Sequence, residues 1–352
     1  MSDTPRSFRV VVALATVTAL LLAIPGAASA AVPTYEFATP AFGLATAPDG
    51  SLLVADAGSG IVELRKGHGS LVAELPGVSD VAPIGRGAMW AVTAGFGAPG
   101  EKTLYRVSRG HASPVADLGA FEAAVNPDGA QIDSNPFDVA ALSGGSALVA
   151  DAAANALLIV NRRGNVDWVA TLPSEVVSTA NAQSLIGCPD VPEEFAELAF
   201  LCEVPMMPAE PVTTSVAVGP DGAYYVGELK GFPAPTGESR VWRIEPGTRH
   251  AQCGSSPACS VVADGFTSII DLNFGPDGTL YVTELDESSW AAVEITGGGS
   301  GGTVNACDSS SWTCSEVATG LPIPAATTVA NGTLYALVWA LVPGMAEVIP
   351  LP

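Results

Sequence analysis

Short apolar runs of four to seven residues recur along the chain, separated by glycine, proline and polar clusters. Phe42–Asp56 reads FGLATAPDGSLLVAD, Thr214–Glu228 reads TSVAVGPDGAYYVGE and Ile270–Glu284 reads IDLNFGPDGTLYVTE. Each is an alternating apolar run, a Pro-Asp-Gly triplet, a second apolar run and a closing carboxylate. Runs of this length, rich in Val, Leu, Ile and Tyr, predict half-buried and buried strands. Pro-Asp-Gly predicts the tight turn between them: proline pre-sets φ, Asp bonds the turn backbone and Gly accepts positive φ. Looser copies begin at Ser79, with Gly-Arg-Gly at the turn, at Phe137, with Ser-Gly-Gly, and at Thr327, with a shortened first strand. That makes six hairpin starts between Phe42 and Leu337.

A third and a fourth strand follow the hairpin in the better copies: Gly60–Arg65 and Leu71–Leu75, Thr103–Val107 and Pro114–Leu118, Ala156–Val160 and Asp167–Leu172, Arg240–Ile244 and Ser260–Ala263. One four-stranded sheet cannot bury both faces, whereas stacking such sheets around an axis does. The pattern predicts an all-β fold, a six-bladed β-propeller of four-stranded antiparallel blades. Val32–Ala38 is left over as one extended run before the first blade, and Ala346–Leu351 is a late strand of the last. The expectation is that the N-terminal strand closes the ring on the last blade, making residues 31–352 one domain. Residues 173–211 interrupt the repeat between blades three and four, and read as a loop and short helix over one end of the ring. Gly297–Gly302 reads as a flexible connector in blade five.

Residues 1–30 stand apart. Arg6 and Arg9 precede the apolar stretch Val10–Ile24, Pro25-Gly26 breaks it, and Ala28-Ser29-Ala30 fits a cleavage site. This pattern predicts a signal peptide cut near Ala30 and a secreted bacterial protein with no membrane association after cleavage. The six cysteines form three local pairs, Cys188/Cys202, Cys253/Cys259 and Cys307/Cys314. Export favours disulfides, and neighbour pairing is the expected connectivity. None forms a C-x-x-C knuckle, and no histidine is spaced with them as a zinc site requires.

The formal net charge of -22 argues against nucleic-acid binding, because such a chain repels the phosphate backbone. His68, His111 and His250 fall in the turns between third and fourth strands, at the blade rim. A histidine base at the axis is therefore not expected, which counts against Ser-His-Asp hydrolysis. Gly298–Gly302 matches G-x-S-x-G but lacks the strand-to-helix elbow. No catalytic residue is assigned.

Carboxylates are the remaining chemistry. Asp56, Asp151, Glu228 and Glu284 close the second strand of four blades, and their repetition points to a structural role on turn N–H groups. Asn135, Asp138 and Asp271 begin inner strands, where side chains can face the axis, and are the candidate oxygen ligands for a hard cation.

Asn135–Asp138, Leu148–Leu158, Val212–Leu229 and Asp271–Gly278 resemble the NHL-like six-bladed propellers and, more narrowly, the ScyD/ScyE family, named after scytonemin-cluster proteins. The resemblance implies the propeller fold over nearly all of the mature chain and no defined activity. The Cys253/Cys259 and Cys307/Cys314 loops depart from the family pattern. Two function classes follow. One is a non-catalytic, monomeric binding or scaffold protein that recognises a protein, peptide or glycan, and the sequence favours it. The other is a calcium-dependent hydrolase or lyase, lactonase-like, with its site in the channel; the Ca²⁺ of related propeller hydrolases is the basis for it. Accessory action on an aromatic metabolite, by analogy with the scytonemin cluster, is a weaker third.

Overall fold

The computed structural model describes residues 35–38, 40–95, 100–297 and 299–352. Residues 1–34 lie outside it, and with them the expected signal peptide and cleavage site.

Six antiparallel sheets carry the chain in sequence order. Blade one is Ala41–Thr46, Leu52–Asp56, Gly60–Arg65 and His68–Glu74. Blade two is Val78–Pro83, Ala88–Thr93, Thr103–Ser108 and His111–Asp117. Blade three is Pro136–Leu142, Ser146–Asp151, Ala156–Val160 and Val166–Thr171, and Ala251–Gln252 adds a short parallel pairing on its outer edge. Blade four is Thr213–Val218, Tyr224–Glu228, Ser239–Ile244 and Cys259–Phe266. Blade five is Ile269–Phe274, Thr279–Glu284, Gly302–Asp308 and Cys314–Leu321. Among the described residues blade six has three strands, Ala326–Ala330, Thr333–Val338 and Glu347–Pro350.

The turns form as their chemistry dictates. Asp49, Asp221 and Asp277 each accept, on Oδ1, the N–H two residues on, at 3.0–3.1 Å. The glycine after each has φ near +80° to +90°, a region closed to most side chains. Second strands are buried end to end in blades one and four, and apolar clusters span neighbouring blades, such as Leu148, Val169, Val226 and Trp242 between three and four. Burying both sheet faces is what fixes the ring.

Closure differs from expectation. Tyr35–Ala38, the described part of the N-terminal stretch, joins no sheet. Phe37 is instead buried beside Ala41 and Val54 of blade one and Val348 of blade six, and Ala38 N–H donates to Asp56 Oδ2 at 2.7 Å. The last and first blades meet directly. Ala41 N–H donates to Ala340 O, and Thr46 Oγ1 lies 3.0 Å from both Thr328 Oγ1 and Val329 O. Among the described residues an apolar anchor, Phe37, occupies the seam, and a hydrogen-bonded closing strand is not shown.

All three expected disulfides are present, Cys188–Cys202, Cys253–Cys259 and Cys307–Cys314. The insertion holds more structure than a loop and a helix. Glu175–Ser178 pairs antiparallel with Met206–Ala209 as a two-stranded ribbon, enclosing the helix Ala180–Leu185 and a kinked 3-10 helix, Glu193–Glu203. In a sheet of this connectivity, the loops joining second to third strands and those joining blade to blade emerge at one end. That end carries the insertion, the helix Leu118–Val125 and the helix Trp290–Thr296, and is called the cap face. The other end holds the short hairpin turns.

Candidate functional site: the channel and the cap face

Inner strands line the axis. In blades one, two, four and five the pairing shifts after the first inner-strand residue, and in blade three a shift falls opposite, between Ala150 and Asp151. These bulges put Gly43, Asp80, Asp138, Ser215 and Asp271 at equivalent places, and Ala326 takes that place in blade six. Three carboxylates therefore face one channel. Each reaches sideways. Asp80 Oδ2 accepts Val139 N–H at 3.1 Å, Asp138 Oδ2 accepts Val216 N–H at 2.6 Å and Asp271 Oδ2 accepts Thr327 N–H at 2.8 Å. Each acid thus ties its blade to the next. Gly43 makes room for the first: a Cβ there would lie 2.2 Å from Asp80 Oδ1.

Burial dominates the electrostatics. It pushes Asp80 up to about 7, against hydrogen bonds from Asp138 and from backbone N–H groups. It pushes Asp271 up to about 8, with the charge of Asp138 adding to the effect. Asp138 is driven up by burial and then by Asp80, to which it hydrogen-bonds. A proton shared between Asp80 and Asp138 relieves the repulsion.

Below the acids, toward the hairpin face, the channel widens into a cavity of about 450 Å³ lined by Leu44, Val81, Val139, Val216, Phe274 and Pro276 among others. Toward the cap face it is plugged. Phe42 and Phe137 meet edge to face at 5.4 Å, and Ile270 joins a cluster with Leu285, Val293 and Trp290.

The sequence candidates separate. Asp138 and Asp271 line the cavity, whereas Asn135 sits in the loop ahead of blade three, where its Oδ1 accepts Gly95 N–H. Asp80, not singled out from sequence, is the third channel acid. Its signal is the shared frame: Ser79-Asp, Phe137-Asp and Ile270-Asp open three copies of the repeat. A hard cation needs several oxygens aimed at one point. Here each acid commits an oxygen to a different backbone N–H, and among the described residues no three His, Cys, Asp or Glu side chains form a metal-holding group. The set does not fit Ca²⁺ as arranged.

The strand-end carboxylates divide. Asp56 accepts Gly58 N–H and Ser59 Oγ–H as well as Ala38 N–H, and Asp151 accepts Ser134 Oγ–H, Asn135 N–H and Ala154 N–H. Glu284 accepts Thr267 N–H and Asn305 Nδ2–H. Glu228 serves an ion pair instead. Its Oε1 lies 3.1 Å from Nζ of Lys230, a lysine with 0% exposure, which also bonds Glu175 Oε2 at 2.6 Å. Arg240 Nη1 donates to Glu175 Oε1 at 2.8 Å. Burial still carries Glu228 up to about 7, and Lys230 opposes it.

This network roots the insertion on blade four. Asn181 Nδ2 adds bonds to Ala234 O, Ser288 O and Ser289 Oγ, reaching the loops of blades four and five. Above the root three large apolar side chains are exposed: Val176 is 64% exposed, Met206 50% and Phe200 42%. Val125 and Ile132 in the loop between blades two and three, and Leu341 and Met345 in a blade-six loop, are exposed on the same face. The histidines lie at the opposite rim, as expected: His68 and His111 open fourth strands, and His250 Nε2 is 2.7 Å from Asp167 Oδ1.

No protein-family model matches the chain, and no curated protein matches it. Solved structures do. A gluconolactonase from Xanthomonas campestris is 12% identical with a TM-score of 0.56, over 90% of this chain and 88% of that one. A calcium-binding regucalcin from Agrobacterium tumefaciens is 11% identical with a TM-score of 0.56, over 91% and 93%. The PQQ-bound aldose sugar dehydrogenase of Streptomyces coelicolor is 13% identical with a TM-score of 0.52, over 91% and 95%. At such identities the likeness is one of fold, and it establishes the six-bladed propeller.

Proposed function

We propose that the chain is an exported propeller of the ScyD/ScyE type that works by binding, with the cap face as its docking surface. One observation carries this reading. Of the nine exposed large hydrophobic side chains among the described residues, seven lie on the cap face: Val125, Ile132, Val176, Phe200, Met206, Leu341 and Met345. Scattered exposed apolar residues are ordinary, but their concentration on one face of a protein marks an interaction surface. Two further features support it. The insertion is held rigid by Cys188–Cys202, Asn181 and the Lys230 network, so little ordering entropy opposes binding. The channel acids serve the ring itself.

The test is capture from the secreted fraction of the source culture, run with three forms of the chain. Unaltered chain is expected to retain a partner. Val176→Asp with Met206→Asp is expected to lose it, and Arg162→Gln with Arg163→Gln, on the hairpin face, to keep it. Equal capture by the cap variant, or loss in the hairpin variant alone, overturns the reading.

The gathering of Asp80, Asp138 and Asp271 around one cavity favours a second reading, the calcium-dependent hydrolase or lyase. It would require these acids to turn toward a common centre. A melting temperature that rises with free calcium and ceases to do so in Asp271→Asn would support it. An unchanged melting temperature would remove it.

A further inference from the structure

The apolar cap face is also charged with one sign. The insertion, residues 173–211, contains seven carboxylates and no lysine, arginine or histidine. Asp190, Glu193, Glu194, Glu197, Glu203 and Glu210 are exposed. Residues 118–135 and 285–301, the neighbouring cap loops, add Asp128, Asp133, Glu287 and Glu294 at or near the surface, with Glu122 and Asp286 buried beneath, again without a cation. The cations that reach this end are already paired: Lys102 with Asp133 at 3.2 Å, Lys230 with Glu175 at 2.6 Å and Arg240 with Glu175 at 2.8 Å. The hairpin face differs. Its turns mix signs: Arg65, Lys66, Arg86, Arg109, Arg162 and Arg163 are exposed there beside Asp49, Asp221 and Asp277, with Arg65 paired to Asp49.

We infer that the partner docked on the cap face is a cationic, amphipathic segment of another polypeptide. This rests on the cap-docking reading and names the chemistry of its partner. The apolar and acidic positions interleave on one segment. Val176, Phe200 and Met206 are exposed on the stretch that carries the six exposed carboxylates. A polycation alone would leave the apolar side chains in water, and a neutral apolar segment would strip water from carboxylates without compensating them. A segment with lysine or arginine on one side and large apolar residues on the other meets both. The field gives direction as well: a cationic approach is steered to this end and away from the arginine-bearing turns. Anionic lipid is repelled by the same carboxylates.

The probe is a fluorescent synthetic peptide of leucine and lysine, about 18 residues long, spaced for one apolar helix face. Its control carries glutamate at every lysine position. Anisotropy is read against the chain lacking residues 1–30. The lysine peptide is expected to bind and the glutamate peptide not to. Raising salt from about 50 to 500 mM should weaken binding by about tenfold or more, as for exposed charges. Glu193→Gln, Glu194→Gln and Glu197→Gln together should weaken it about tenfold at low salt, with Arg162→Gln and Arg163→Gln without effect. Circular dichroism of each variant confirms the fold. Three results overturn the inference: equal binding of both peptides, no binding of either, or chain drawn onto anionic phosphatidylglycerol vesicles in preference to the peptide. If both peptides bind equally and Val176→Asp with Met206→Asp abolishes both, the charge inference alone falls and cap docking stands. If binding of the lysine peptide ignores that cap variant, cap docking falls too.

Discussion

In the channel, Asp80, Asp138 and Asp271 are shifted by burial, by one another and by backbone N–H groups. At the root of the insertion, Glu228 and Glu175 share Lys230 and Arg240. The channel disposes of its charge by keeping protons, the root by importing cations. Depth decides how well the second device works. Burial raises both root acids, but the hydrogen bonds from Lys230 and Arg240 bring Glu175 below its ordinary value, while Glu228 at 0% exposure stays near 7. Cations overcome desolvation at the edge of the protein and only partly inside it.

The sharpest break of this contrast is Lys230→Met. It leaves Glu228 buried without its cation and frees Glu175, and is expected to cost about 3–5 kcal/mol at pH 9, where Glu228 is ionised in the unaltered chain. A urea midpoint measures it, and the loss should shrink at pH 5, where Glu228 takes up a proton. A loss that is the same at both values would mean that packing, not charge, is what Lys230 provides.

Second in size is the pH profile. The channel acids hold protons in the folded chain up to about 7 and 8, and release them near 3.8 when unfolded. The folded state therefore binds more protons across that window, and its stability falls as pH rises from about 4 to 8. The cavity leaves Asp271 partly in contact with solvent, so its share is set at about 2–3 kcal/mol rather than the full shift. Asp271→Asn should flatten the profile and melt above the unaltered chain at pH 9. A melting temperature that climbs steadily from pH 5 to 9 would contradict the proton-holding channel.

The smallest effect tests what the ring does without an acid. Ser215 stands at the equivalent place in blade four, buried, with an Oγ that has no hydrogen-bond partner. Blade four joins blade five through Thr214 Oγ1–H donating to Ile269 O at 2.6 Å. Ser215→Ala should be neutral or stabilising by up to about 1 kcal/mol, since it removes an unsatisfied polar group. A destabilisation of that size would reveal a hidden partner for the hydroxyl.

What could be read from sequence was local. Pro-Asp-Gly turns, strand alternation and neighbour disulfides depend on residues a few positions apart, and all are present. Asp56, Asp151 and Glu284 cap turns for the same reason. Glu228 escaped because its partners Lys230 and Glu175 belong to different segments, and Glu175 lies in an insertion with no repeat to align. Asn135 was drawn into the channel by its closeness to Asp138, but it precedes the strand and bonds Gly95. Asp80 was hidden by its degenerate copy, although its column in the repeat pointed to it. The apolar run Val32–Ala38 is as compatible with burial of Phe37 in the seam as with a closing strand.

The plug of Phe42, Phe137 and Ile270 makes the axis a well rather than a tunnel. Among the described residues the wide approach to Asp271 is from the hairpin side, and toward the cap only a space of about 10 Å³ ringed by Phe42, Phe137 and Ile270 adjoins it. Occupancy of the well and occupancy of the cap are therefore separate by geometry, and any conversation between them has to travel through the blades.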